Sequence, residues 1–411
     1  MPWMETRVTE QRMKFVVEYE LGEESMAQLC RKYGIARKTG YKWWVRWQVE
    51  GAGGLADRSR APRRHPNQVP AEQVASILAI RDRFGWGPKK LRVLLQRRQP
   101  DVRWPALSTI QQILDDHGRV IRRKKRRRVP PQSQPLAHCD GPNAVWCCDF
   151  KGYFLTADGR RCCPLTISDG LSRYVLRCQG LERGNHESSR PIFEGAFREY
   201  GLPQAIRSDN GAPFASRAVA GLSRLSVWWI KLGIRPERIA PGKPQQNGRH
   251  ERMHLTLKQA TASPPASTAR RQQQRFDAFL REFNEIRPHE ALAMQTPASV
   301  YHPSPRPYPA REPEVTYPDD WAKRKVQCDG DFSWKHEPIF LSEVLYGETV
   351  GLEPVDGRYW RAYFGPVSLG VFDAARRRML TAAQTRRKPD LLACCPKDRP
   401  SAPLQDDPSE P

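Results

Sequence analysis

Up to about residue 120 the apolar residues recur at helical spacing, and from Asn143 they come in short β-rich runs. A period near 3.6 and a period of 2 bury different faces, so the change separates a helical region from one that contains sheet. The chain is therefore read as multidomain, and its 411 residues suit about two to four domains.

Within the helical region, residues 10–21 form a first run closed by Gly22. Ser25 caps a second run that ends at Tyr33 and Gly34. Residues 36–49 form a third, with Arg37, Lys38, Lys42 and Arg46 set among Tyr41, Trp43, Trp44, Val45 and Trp47. A short helix, a glycine turn and a basic second helix are the parts of a helix-turn-helix, here expected over residues 1–50. A helical bundle with a solvated basic face has the same parts. The net charge of +23 favours the DNA-binding reading, since such self-repulsion is tolerated beside a polyanion.

Residues 51–66, with Gly51, Gly53, Gly54 and several arginines, read as a basic linker unable to sustain a helix. Helical runs at 71–84, 88–97 and 108–117 then predict a second helix-turn-helix-like module over 67–120. Arg122, Arg123, Lys124, Lys125, Arg126, Arg127 and Arg128 lie in a further basic linker, 121–139. A like-charge block of this kind grips phosphates or stays a solvated tail. No apolar run approaches the roughly 20 residues of a transmembrane helix, and the start has no signal-type stretch, so no membrane is expected. The ten cysteines include no C-x-x-C pair and read as free, buried thiols in a reducing cytoplasm.

Runs at 144–150, 161–169 and 174–181 predict three strands, antiparallel at the start. A helix over 187–200 ends at Gly201, and a strand over 204–209 runs into the Asn210-Gly211 turn. Helix 215–232, strand 234–239 and helix 247–260 complete an α/β layer fold with a mixed sheet, residues 140–300, in which 270–286 is a further helix. A proline-rich connector (301–322), a small β-barrel-like domain (323–382) and a disordered tail (383–411) are expected to follow.

Three carboxylates stand where an α/β active site would place them. Asp149 interrupts an apolar strand, where burial without a partner costs several kcal/mol. Asp209 ends a strand, and Glu251 follows Asn247-Gly248 near a helix start. Three acidic side chains suit Mg²⁺ or Mn²⁺, and two such ions support in-line phosphoryl transfer. Lys258 lies two turns beyond Glu251 on the same helix face. Taken singly, each of these residues is more often a cap, a turn residue or a solvated lysine. Asn247 caps the helix or touches DNA.

The blocks that carry these residues resemble the bacterial insertion-sequence transposases of the retroviral-integrase superfamily. Trp146-Cys147-Cys148-Asp149-Phe150 is similar to its first-aspartate strand, and Ser208-Asp209-Asn210-Gly211-Ala212-Pro213-Phe214 to its second block. Residues 241–252, which hold Asn247, Gly248 and Glu251, are similar to the third. Asn284, Arg287, Pro288, His289, Thr296 and Pro297 stand as in the segment after the core. The resemblance implies a ribonuclease-H-like core, catalysis and metal ligation by Asp149, Asp209 and Glu251 with two Mg²⁺ or Mn²⁺ ions, and a DNA phosphate on Lys258. It further implies terminal inverted repeats and target DNA as partners, a homo-multimer on DNA, and a place on the bacterial nucleoid. The 59 residues between the aspartates are ordinary for the family, whereas the 41 between Asp209 and Glu251 are several more than usual and suggest an extended helix through Trp228-Trp229. His250 also departs from the common pattern.

Two rival readings remain. His250-Glu251-Arg252-Met253-His254 matches H-E-x-x-H, a zinc-protease signature, but leaves Asp149, Asp209 and the charge unexplained. A catalytically inactive DNA-binding regulator derived from a transposase is the other, and loss of a carboxylate would favour it. All three are present.

Overall fold

The computed structural model describes residues 7–60, 68–120, 139–240, 244–381 and 384–385. Arg122 to Arg128, the start of the third block and nearly all of the carboxy-terminal tail lie outside the described residues. Two compact units are present, Met1–Ala71 and Glu72–Pro411. No described helix is long and apolar enough to cross a membrane.

The first unit contains α1 (Val8–Glu20), α2 (Met26–Lys32) and α3 (Arg37–Glu50). Ser25 and Gln28 form a reciprocal cap at the start of α2. Helix α3 crosses its neighbours closely at Gly40, where a Cβ would lie 2.6 Å from the Cys30 sulfur. Phe15, Val16, Leu29, Cys30 and Trp43 form the core.

The expected linker is shorter than residues 51–66. Gly51–Leu55 is a 3₁₀ turn folded back onto α3, and Leu55 is fully buried. Glycine here permits close approach: a Cβ on Gly54 would sit 2.4 Å from the Arg46 carbonyl. Arg12 locks the turn by donating to the Leu55 carbonyl at 2.8 Å and pairing with Asp57 at 2.9 Å.

In the second unit, α4 (Ala71–Phe84), α5 (Pro88–Arg98) and α6 (Leu107–Asp116) form the second helical module. It packs on the segment around residues 287–294. Lys89 pairs with Glu290 at 3.5 Å, Arg97 donates to the Met294 carbonyl at 2.8 Å, and the Arg287 guanidinium lies over Trp86.

The core runs β1 (Val145–Phe150), β2 (Phe154–Leu155), β3 (Arg161–Asp169), β4 (Val175–Leu181), α7 (His186–Tyr200), β5 (Ala205–Ser208), α8 (Arg224–Lys231), β6 (Arg235–Arg238), α9 (Gly248–Thr261) and α10 (Ala269–Arg281). The sheet is mixed. β1 pairs antiparallel with β3 and parallel with β5, β5 pairs parallel with β6, and β2 and β4 both add antiparallel to β3. Helices cover both faces. Trp146 and Cys148 pack against α7 and α8 with Phe193, Phe197 and Trp229, while Met253, Leu257, Phe276 and Phe279 close the other side. A strand covered twice has no polar face, which is why β1 reads as one apolar run.

Helix α8 is shorter than the expected 215–232. Ser223 caps it by accepting from the Ser226 amide, and the stretch before it is irregular apart from a 3₁₀ turn, Val219–Gly221. The long Asp209–Glu251 spacing therefore does not come from an extended helix through Trp228-Trp229. All six residues from Leu225 to Ile230 are buried because two layers claim them. Leu225, Trp228 and Trp229 face the core, whereas Val227 and Ile230 join the carboxy-terminal β-region.

Beyond α10 comes a π-helical turn, Glu282–Ile286. The connector is bound to the core: Tyr301 stacks on Tyr174 with centroids 4.5 Å apart, and the Leu202 amide donates to the Arg306 carbonyl. The β-region comprises β7 (Ala322–Lys325), β8 (Asp331–Trp334), β9 (Glu337–Phe340), β10 (Thr349–Pro354), β11 (Tyr359–Phe364), β12 (Val367–Asp373) and β13 (Arg378–Met379). β8 and β9 form a hairpin, and the other five strands form one antiparallel sheet.

Leu55→Ala is expected to destabilise the first unit by about 2–5 kcal/mol, as for other buried leucines. Hydrogen exchange of the α3 amides in the full chain should accelerate, and unchanged protection would remove Leu55 from that core.

Candidate active site

The parallel register of β1 and β5 pairs Val145 with Ala205 and Cys147 with Arg207. Carried two residues further, it sets Asp149 level with Asp209, just past the end of β5. Adjacent strands lie about 4.8 Å apart, so the two carboxylates are neighbours. Asp209 is held by an Asx-type turn, its Oδ1 accepting from the Gly211 amide at 3.1 Å. Asn210 ties the turn down by donating to the Ile239 carbonyl at 2.8 Å. These two residues thus have structural work in the turn.

Burial, then the charge of Asp209, and more weakly that of Glu251, push the Asp149 carboxyl up to about 7. His254 does not compensate it. Its Nδ1 is 3.7 Å from Asp149, but burial, with neighbouring His250 and Lys151 adding, drives the imidazole down to about 2. The contact is therefore between a neutral ring and a carboxyl.

Beneath the aspartates lies a polar network. The Thr166 hydroxyl donates to the Asp149 carbonyl at 3.1 Å and lies 2.7 Å from His250 Nε2 and 2.6 Å from His254 Nε2. Both rings then donate from Nε2, and the Ser168 hydroxyl serves His250 Nδ1 at 2.9 Å. The histidines of the H-E-x-x-H match thus point into the protein and bind hydroxyls. Glu251 is exposed on another face of α9, so the zinc-protease arrangement is not formed.

Glu251 and Lys258 share that exposed face, Glu251 in the first turn, where the helix dipole favours an anion. Among the described residues no three His, Cys, Asp or Glu side chains are placed to hold a metal ion. The structure therefore brings Asp149 and Asp209 together and leaves Glu251 facing solvent. Asn247 is buried at the start of α9 but makes no capping hydrogen bond. On α3, Arg37, Lys38 and Lys42 are exposed, while Arg46 is half-buried and lies over Trp43.

Sequence reasoning placed Asn284 in the segment after the core but gave it no role. Its side chain accepts from the Val175 amide and donates to the Val175 carbonyl, both at 2.9 Å, and so completes the edge of β4. The eight described cysteines are free and mostly buried, and burial pushes Cys147 up to about 12.

Asp149 yields a signed pH effect. Its raised value makes its contribution fully present below the unfolded carboxylate range and lost as pH rises towards 7. In metal-free buffer above pH 7, Asp149→Asn should therefore raise stability by on the order of a few kcal/mol, with little effect near pH 4. Thermal denaturation across pH checks this; a destabilised Asn variant at high pH would contradict it.

Residues 140–244 and 232–297 match the Integrase core domain family, 11–63 the Helix-turn-helix domain and 39–114 the Homeodomain-like domain. The chain is 27% identical over 236 residues to an uncharacterized protein of insertion element IS407 from Burkholderia multivorans, covering 57% of this chain and 81% of that one. It is 28% identical to an IS476 protein of Xanthomonas euvesicatoria (59% and 69% covered) and 33% identical to an IS136 protein of Agrobacterium fabrum (38% and 80%). Among solved structures it is similar, at 16% identity and a TM-score of 0.35, to a simian T-cell lymphotropic virus intasome chain, with 75% of this chain and all of that one covered. With the integrase core, the helix-turn-helix matches and these relatives together, the chain belongs to the insertion-sequence transposases of the retroviral-integrase superfamily.

Proposed function

We propose that this chain binds the ends of a mobile DNA element and catalyses metal-dependent end cleavage and strand transfer. The observation that carries the reading is the half-buried Asp149 set level with Asp209, two carboxylates whose mutual repulsion, only partly offset by Lys151, raises the Asp149 carboxyl. Hard divalent cations suit such an oxygen pair. Two Mg²⁺ or Mn²⁺ ions would supply activation of the attacking oxygen and stabilisation of the leaving one.

Asp149 and Asp209, fixed by the sheet and the Asx turn, form the rigid part of the ligand set. Glu251 supplies the third carboxylate by swinging in from the exposed face of α9. Thr166, His250 and His254 position β1 against α9 and, staying neutral, add no charge to compete for the aspartates. Lys258, on the same face as Glu251, would hold a DNA phosphate beside the reacting one. Water attacks the phosphodiester at the element's end and frees a 3′-hydroxyl, which then attacks a target phosphodiester and expels its 3′-oxygen. No covalent protein–DNA bond is needed.

Arg37, Lys38, Lys42 and Arg46 on α3, and the run from Arg122 to Arg128, are assigned to DNA backbone and groove contacts, with terminal inverted repeats and target DNA as partners. Holding two ends at once calls for a homo-multimer on DNA.

The test is a strand-transfer assay on short duplexes bearing the element's ends, in Mg²⁺ and in EDTA. Joined products should form only with metal and vanish in Asp209→Asn while DNA binding persists. Tight binding with no cleavage in Mg²⁺ or Mn²⁺ would identify a DNA-binding regulator instead.

A further inference from the structure

A cavity of about 270 Å³ opens where α5, the β3–β4 turn, the start of α9 and the segment after α10 meet. None of Asp149, Asp209 and Glu251 lines it. On α9 it takes the flank of Arg249 and Arg252, beside the face that carries Glu251 and Lys258. Five cationic side chains from four parts of the fold line it: Lys90, Arg173, Arg249, Arg252 and Arg287.

The acidic groups nearby are already engaged. Asp169 accepts from the Asn143 amide and from the amide and hydroxyl of Ser172, and Glu290 pairs with Lys89 at the rim. Arg249 donates to the Gly170 carbonyl, and Arg287 lies over Trp86 and Phe283. Lys90, Arg173 and Arg252 have no side-chain acceptor among the described residues. One further polar atom waits at the same place: His289 Nε2 is buried in the cavity wall and lacks a hydrogen-bond partner. A buried ring nitrogen left unpaired is costly, and so is a cluster of like charges out of water.

We propose that this cavity is a binding site for a phosphate group, held by Lys90, Arg173 and Arg252 with His289 at its back. A phosphate offers several terminal oxygens to converging donors, and guanidinium forks match it in two-point contacts. Its negative charge cancels the repulsion that the empty cavity carries. Burial and then Arg287 hold Lys90 down at about 8, burial and then Lys90 and Arg287 hold His289 at about 3, and a bound anion would raise both. The source is a backbone phosphate of DNA, which rests on the function proposed above, or a free phosphorylated compound. The chemistry of the site is the same for both.

The test uses the full chain and the double variant Lys90→Gln/Arg173→Gln. At matched ionic strength, inorganic phosphate should raise the melting temperature of the wild type above its value in chloride. The variant should lose that rise and, relieved of like-charge repulsion, melt above the wild type in chloride. For duplex DNA, the log–log salt dependence of binding should be shallower in the variant by about 0.9 if one backbone phosphate occupies the cavity. That means about eightfold less loss of affinity per tenfold rise in salt. A lost phosphate effect with an unchanged DNA slope assigns the same site to a free phosphorylated compound. A wild type without a phosphate-specific shift, or a variant that keeps it, overturns the proposal. These readouts do not need strand transfer, so an inactive enzyme with an intact phosphate shift would sink the proposed function and leave the site standing.

Discussion

A half-buried carboxylate in the central strand of a sheet covered on both faces is the constraint around which the core is organised. Asp149 shares β1 with Trp146, Cys147 and Cys148, each almost wholly buried, and it cannot leave that environment without unmaking the strand. Desolvation alone favours its neutral form. The parallel register with β5 then adds a second carboxylate beside it. What packs beneath makes no attempt at charge compensation: His254, the nearest basic side chain, is kept neutral by its own burial and occupied by Thr166. Under the function proposed above, a divalent cation would offset the cost of such a pair.

The rest of the second unit supplies rigidity around that pair. Helix α8 belongs to two cores at once, which joins the central mixed sheet to the β-region, and Lys231 reinforces the junction through Glu312 and Glu348. On the opposite side, α5 meets the segment after α10, and cations collect there. Part of the chain's +23 charge is thus held inward, round a cavity, and is not spread over the surface alone.

The sequence was legible where one local rule dominates. Ser25 and Gly34 mark helix ends, the Asn210-Gly211 turn marks the end of a strand, and the apolar run of β1 marks a buried one. It was less legible where a residue serves contacts distant in sequence. Gly51–Leu55 looks like linker because the glycines' role, close approach to Arg46, exists only in the folded unit. Apolar residues before Ser223 resemble an extension of α8, yet that serine caps the helix and starts it late. The H-E-x-x-H match has the right spacing for zinc, and only the packing on Thr166 and Ser168 shows where its histidines point. Lys90, Arg173, Arg252 and His289 are spread over two hundred residues of sequence, about the span from 90 to 289, so no motif announces their convergence.

The claim that Asp149 and Asp209 form a metal-holding centre, completed by Glu251, is tested most directly by iron-mediated backbone cleavage. Fe²⁺ replaces Mg²⁺ at oxygen sites, and with ascorbate and peroxide it cuts the chain next to where it is bound. The full-length protein should be cut near residues 149, 209 and 251, with cleavage suppressed by excess Mg²⁺ and lost in Asp149→Asn. Cleavage confined to other positions, or unchanged in that variant, would contradict the assignment.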